Sequence, residues 1–309
     1  MIDQPIKSTL AKSKPSNLVR NLQEKLIEFL LFLAASSSVA ITIGIIYILI
    51  SESVSFFQEV SLVEFLTGTE WTPLFADAKY GIWALLAGTI VTTAVALFVA
   101  IPIGTISAVY LSEFAPEKLR EIVKPCLEIL AGIPSVVYGY FALLFVTPLL
   151  QRFLSDLPSF NMLSPGLVTG IMIIPFISSI SEDSMRAVPA SLREGSYAMG
   201  ATRLQTAWSV VLPASLSGIS AAYILGISRA VGITMIVAIA GGLQPNFTWN
   251  PMESAATIAT FIVSVSLGDL PHGTIEYQSI FAAGITLFVI TLITNIIGHF
   301  ISKRYREIY

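Results

Sequence analysis

The chain has 309 residues, of which 54% are hydrophobic and only 12% charged, with a mean hydropathy of +0.79 and a formal net charge of −3. A soluble domain carries about 25% charged residues and could not cover its surface with so few. The composition therefore excludes an ordinary soluble enzyme and a basic nucleic-acid binder, and predicts an all-α polytopic membrane protein, since about 20 apolar residues cross a bilayer as a helix. The single Cys126 permits no internal disulfide, and His272 and His299 stand too far apart in sequence to suggest a metal site.

Residues 1–25 form a polar, basic tail, and the apolar run behind it extends to about residue 50. That run is too long for a signal-peptide core, so it predicts an uncleaved first span at 27–50. Residues 51–80 read as an outer loop carrying Glu52, Glu59, Glu64, Glu70 and Asp77. Within it Phe56, Val60, Val63, Phe57 and Leu66 fall at helical spacing, which suits a short helix on the membrane surface or one packed on the rim of the bundle. Further spans are expected at 81–111, 126–150, 164–181, 212–242 and 278–302, giving six in all. Pro134, Pro148 and Pro175 bend or interrupt the third and fourth. Glu128 reads as a carboxylate in the first turn of span three, where the helix dipole favours it. Residues 243–277 mix Gly, Pro, Asn and Thr with an apolar patch at 258–267, consistent with a re-entrant or a surface helix.

The basic residues predict the orientation, because cytoplasmic loops accumulate Lys and Arg. Lys7, Lys12, Lys14, Arg20 and Lys25 lie in the first tail, Lys118, Arg120 and Lys124 after span two, Arg186, Arg193 and Arg203 after span four, and Lys303, Arg304 and Arg306 at the end. Only Lys79 and Arg152 fall on the opposite side, so both termini are expected in the cytoplasm.

The loop at 182–212 holds the most specific local pattern. Ser191 and Glu194 have the form of a capping box, Gly200 suits a left-handed helix stop, and Thr202 with Gln205 repeats the box. Two short helices joined at a bare corner follow from this spacing. Such a corner can slot into a groove on another protein, or it can be a loop with tidy helix ends. A DNA-reading helix-turn-helix is disfavoured by the membrane tether and by the lack of a basic recognition face.

Glu194, Gly200, Val210, Leu212 and Pro213 resemble the EAA loop of type I ABC-importer permeases, with Gly195 and Ser196 where that family usually has alanines. The runs Glu64-Phe65-Leu66, Trp71-Thr72-Pro73, Tyr110-Leu111-Ser112-Glu113 and Gly132-Ile133-Pro134-Ser135-Val136-Val137-Tyr138-Gly139, with Asn250-Pro251 and Asn295, are similar to the C-type permease subunit of the phosphate-specific importer. The resemblance implies a transmembrane permease domain over 26–309 in a bacterial inner membrane. It implies that Ser191, Arg193, Glu194, Tyr197, Gly200, Ala201 and Arg203 belong to a coupling helix docked on a cytosolic ATPase dimer. It further implies a homologous second permease, an external phosphate-binding protein, and ATP-Mg held by the ATPase, with no cofactor in this chain. Independently, no glycine is followed by lysine, so the chain has no Walker A loop of its own. It also lacks Gly-x-Ser-x-Gly and His-Glu-x-x-His motifs, which predicts a non-catalytic subunit.

Arg229 is the one basic residue inside a span, about 24 Å along a straight helix counted from Pro213. Charge at membrane depth costs about 2.5–3.5 kcal/mol on insertion scales, which makes it a candidate for the substrate path, together with Ser135 in the interrupted helix. The competing reading is a snorkelling or subunit-pairing Arg. Ile233 departs from the family's R-A-x-G-E-T-M pattern, which has Glu at that position. At i, i+4 residues 229 and 233 share a helix face, and the isoleucine removes a switchable ion pair. That departure keeps sulfate, molybdate or another oxyanion open as cargo. An ion-coupled secondary carrier is the reading from a different class, but neither inverted repeats nor several buried acids are visible.

Overall fold

The computed structural model describes residues 17–304 apart from residue 269. Lys7, Lys12, Lys14 and Arg306, expected in the tails, lie outside the described residues, as does the side chain of Arg20. The described chain divides into two units, residues 1–51 and 52–309. The first unit contains most of α1 (Asn17–Glu59), whose Leu22, Phe29, Phe32, Ile41 and Ile45 are all exposed. A helix apolar on every face needs a non-aqueous surrounding, and a bilayer supplies one.

The second unit is a helical bundle. After α1 come α2 (Leu62–Thr67) and α3 (Trp83–Val109), the latter extended by a π turn at Tyr110–Phe114. Then follow α4 (Glu117–Gly132), α5 (Ser135–Phe141), a π turn at Ala142–Val146 and α6 (Thr147–Gln151). Next are α7 (Leu163–Arg186), α8 (Ala190–Ala198), α9 (Arg203–Thr206), a π turn at Ala207–Val211 and α10 (Leu212–Ala214). The chain closes with α11 (Leu216–Val231), α12 (Met235–Ala240), α13 (Ile258–Ser266) and α14 (Ile275–Arg304). Among the described residues there is no strand, only a single bridge between Trp71 and Tyr80.

Four helices are long and apolar enough to cross a membrane as single rods, and two bent pairs bring the total to six. The expected six spans are thus present, but the third and fifth are not straight. The chain turns through 88° between α4 and α5 and through 72° between α10 and α11. Pro134 makes the first break, because it denies the helix a donor and pushes Ile133 into extended backbone (ψ 132°). Tyr138 Oη donates to Leu130 O across the gap at 2.7 Å and so satisfies one freed carbonyl. Pro148 and Pro175, by contrast, do not stop their helices. Thr147 Oγ1 donates to Ala142 O at 3.0 Å beside Pro148, and Pro175 lies buried in an unbroken α7.

Two expectations need correction here. Helix α4 begins at Glu117, so Glu128 lies near its C-terminal end and not in a first turn. The dipole argument therefore does not apply to it. The face predicted across 56–66 is also not continuous. Ser61 caps a new helix by accepting from the Val63 amide, which resets the helical phase. Phe56, Val60 and Phe65 are buried while Val63 and Leu66 stay exposed.

The core of this bundle has three parts. At one end, Phe56, Phe65, Trp71, Tyr80 and Phe261 form an edge-to-face aromatic cluster with centroids 5.2–6.2 Å apart. It buries α13, which is a packed helix and not a surface one. In the middle, α3 and α7 pair closely. A methyl on Gly170 would sit 2.7 Å from the Ala96 carbonyl, so only glycine permits this approach. At the other end, Ala108, Met185, Val188, Val211 and Ile219 pack beneath the α8–α9 corner.

Candidate functional site

Helix α8 starts two residues earlier than the sequence pattern suggests. Pro189 is its N-cap, with φ already at −56°, so Ser191 sits second in the helix and makes no cap. Ser191 and Glu194 are both exposed, and the capping box proposed for them does not form. The second box does form. Thr202 Oγ1 accepts from the Gln205 amide at 3.3 Å, and the Thr202 amide donates to Gln205 Oε1 at 2.8 Å.

Between the helices, Gly200 adopts φ +84°. The Gly200 amide donates to Tyr197 O and the Ala201 amide to Ser196 O, at 2.9 and 3.2 Å. This is the two-bond Schellman closure, which needs a left-handed residue at the position Gly200 occupies. Ser196 and Thr206 hydroxyls, 2.9 Å apart, tie the two helices across the corner. Nothing lies within 4 Å of a Cβ built on Gly200, so the tip faces open space. Met199 is 89% exposed there, with Tyr197, Arg203, Leu204 and Trp208 exposed around it.

Arg193 plays a different part from its neighbours. Its Nη2 lies 2.9 Å from Glu113 Oε1, and its two terminal nitrogens donate to Met185 O and Val188 O at 2.7 and 2.6 Å. It therefore fastens α8 to the π turn after α3 and to the end of α7, and caps two carbonyls of that end. Glu113, with only 6% of its side chain exposed, has its purpose in this bond.

A second ion cluster sits next to it. Glu182, with its side chain 1% exposed, is 2.8 Å from Arg120 Nε and 2.9 Å from Lys124 Nζ, with Arg186 at 3.9 Å. The Arg120 contact is an ion pair without hydrogen-bond alignment, whereas Lys124 donates to both Glu182 and Asp183. Arg120, Lys124 and Arg186 border a hollow of about 410 Å³ also lined by Glu117, Glu121 and Glu128. Sequence reading missed Glu182. An acid at the apolar end of span four, facing basic residues about sixty positions earlier, was the available signal.

Toward the opposite end, Arg229 occupies the last turn of α11. The bend at Ser215 means that its distance along the helix runs from Leu216, about 20 Å, and not from Pro213. Its guanidinium carbon lies 3.8 Å over the ring centroid of Phe176 on α7. Ser228 Oγ, beside it, donates to Asn295 Oδ1 of α14 at 3.2 Å. Ile233 does not share a helix face with Arg229, because α11 ends at Val231 and Gly232 breaks the helix. Ile233 is 8% exposed and packs among Met172, Ile173, Ile177 and Ile236. An ionised carboxylate in that apolar setting would be costly, which accounts for the isoleucine. Ser135 is the first residue of α5 and is half-buried. Among the described residues no hydrogen bond joins it to Arg229, so the structure does not bring these two together directly.

These features define a polytopic transport permease, with a protruding corner at one end and an exposed arginine toward the other. The family described as "Binding-protein-dependent transport system inner membrane component" matches residues 100–307. The chain belongs to this family of ABC-importer permeases and is a multi-pass inner-membrane protein. It is 34% identical over 89% of its length, and 87% of the relative's, to a Bacillus subtilis protein described as "Probable ABC transporter permease protein YqgH". It is 34% identical to the phosphate transport system permease protein PstC of Xylella fastidiosa, covering 78% of this chain and 79% of that one. The structure of a bacterial ABC transporter that imports the acidic polysaccharide alginate superposes with a TM-score of 0.64, over 94% of this chain and 99% of that one, at 18% identity. That likeness establishes the fold.

Proposed function

We propose that this chain is the membrane-spanning subunit of an ATP-driven phosphate importer and forms half of the path with a homologous second permease. The observation that carries the cargo is Arg229, a cation with no carboxylate partner among the described residues, in a chain whose relatives include proteins named as phosphate permeases. A guanidinium fork matches two oxygens of a phosphate. Residues 1–25 form a cytoplasmic tail, both termini are cytoplasmic, and 26–309 make up the permease domain within the lipid. The corner of Tyr197, Met199, Gly200, Ala201 and Arg203, flanked by Ser191 and Glu194, docks on a cytosolic ATPase dimer that holds ATP-Mg. Arg193 supports this corner from beneath. The chain itself carries no cofactor and no catalytic site, and an external binding protein delivers the phosphate.

The test is ATP hydrolysis by the reconstituted complex with phosphate-loaded or sulfate-loaded binding protein. Stimulation by the phosphate form alone is expected. Stimulation by the sulfate form alone would move the cargo to another oxyanion, the reading that Ile233 keeps open. Gly200→Asp is expected to abolish stimulated hydrolysis and uptake while leaving membrane insertion intact. A Cβ at this position meets no neighbour in this chain, but φ +84° strains an L residue, so the variant alters the corner's backbone as well as its surface. Normal stimulated hydrolysis by this variant would remove the corner from the coupling path.

A further inference from the structure

Among the described residues Arg229 has no carboxylate within ion-pair distance and donates no hydrogen bond, yet it is not unsupported. The Phe176 ring lies under it at 3.8 Å. Phe176 follows Pro175 in α7 and is flanked by Met172, Ile173 and Ile177, which are buried in the middle core. The ring itself is partly buried, and its face meets the guanidinium.

Two kinds of partner would hold an arginine in different ways. A carboxylate takes the N–H fork itself, neutralises the charge and must be displaced before an anion can bind. An aromatic face attracts the cation through its quadrupole and uses none of the five N–H donors as conventional hydrogen bonds. At position 233, where the resembling family has glutamate, this chain has Ile233, turned into the core. We propose that Phe176 is the positioning residue for Arg229. It holds the guanidinium by its face, so that the fork stays charged and open to two oxygens of a tetrahedral oxyanion without an acidic partner to release. This inference rests on the phosphate-path reading of Arg229 and extends it to a residue on a neighbouring helix.

Fluorinated phenylalanines test it, because they drain electron density from the ring face with almost no change of shape. Phe176 is replaced by its mono-, di- and trifluoro forms in the full complex, reconstituted with phosphate-loaded binding protein, and Arg229→Gln is run alongside. The maximal phosphate uptake rate is expected to fall stepwise, by about three- to tenfold at the trifluoro form. The thermal midpoint and the binding-protein concentration for half-maximal uptake should stay unchanged. Phe176→Trp, with a stronger face, should retain uptake, whereas Phe176→Leu should lose it. A flat fluorine series beside a defective Arg229→Gln overturns the role of Phe176 and leaves the path intact. A flat series beside a fully active Arg229→Gln overturns the phosphate-path reading as well.

Discussion

The two ends of the bundle treat charge in opposite ways. Near the α8–α9 corner every buried acid is matched. Glu182 meets Arg120 and Lys124, and Glu113 meets Arg193. At the far end of α11 Arg229 rests on a ring and has no acid partner among the described residues. Charges that are paired internally fix geometry, and a charge left unpaired in its own chain remains available to a ligand. The chain thus separates a rigid platform, from which the corner projects, from a cation that the proposed function assigns to an anion.

This contrast can be broken by substitutions whose effects on stability should descend in a set order. Glu182→Ala leaves Arg120 facing a void and should cost about 3–5 kcal/mol, as loss of one member of a buried pair does. The thermal midpoint of the purified protein in detergent reads it, and an unchanged midpoint would mean that the cluster is solvated. Glu113→Ala should cost less, about 1.5–3 kcal/mol, because Arg193 keeps its bonds to Met185 O and Val188 O. It should also loosen α8, so limited proteolysis at the corner would accelerate. Arg229→Gln should leave the midpoint where it was and still remove most phosphate uptake. Equal loss of stability and uptake would place Arg229 with the structural ions and erase the distinction between the two ends.

How far the sequence carried this picture depended on the range of the interaction. The Gly200 turn and the Thr202–Gln205 box were legible because their partners lie within a few residues. Ser191 failed as a cap for an equally local reason, since Pro189 starts the helix first. The apolar face predicted over 56–66 failed because Ser61 restarts the helix in the middle of the pattern. The supposed pairing of positions 229 and 233 assumed a helix that Gly232 ends. Glu182 and Phe176 were not legible, because what they touch lies on another helix.

Elsewhere, Lys79 and Glu70 illustrate a contact of little consequence. They bond at 2.6 Å, and that hydrogen bond raises the lysine above its ordinary value, yet both side chains are about half exposed or more. Exposed pairs of this kind contribute little. The aromatic cluster beneath them, around Trp71 and Phe261, holds that end together.

Composition alone determined that this chain crosses a membrane several times, because the transfer cost of so much apolar surface is a sum over residues and needs no geometry. Proline and glycine positions determined where helices can break, since backbone sterics are local. Which prolines broke them was not fixed by sequence: a side-chain hydroxyl bonds a nearby carbonyl both at Pro134, where the chain turns, and at Pro148, where it runs on. The pairing of Glu182, the seat of Arg229 and the burial of Ile233 were decided only by tertiary packing. Each depends on distances between helices far apart in the chain, which residue order leaves open until the bundle closes.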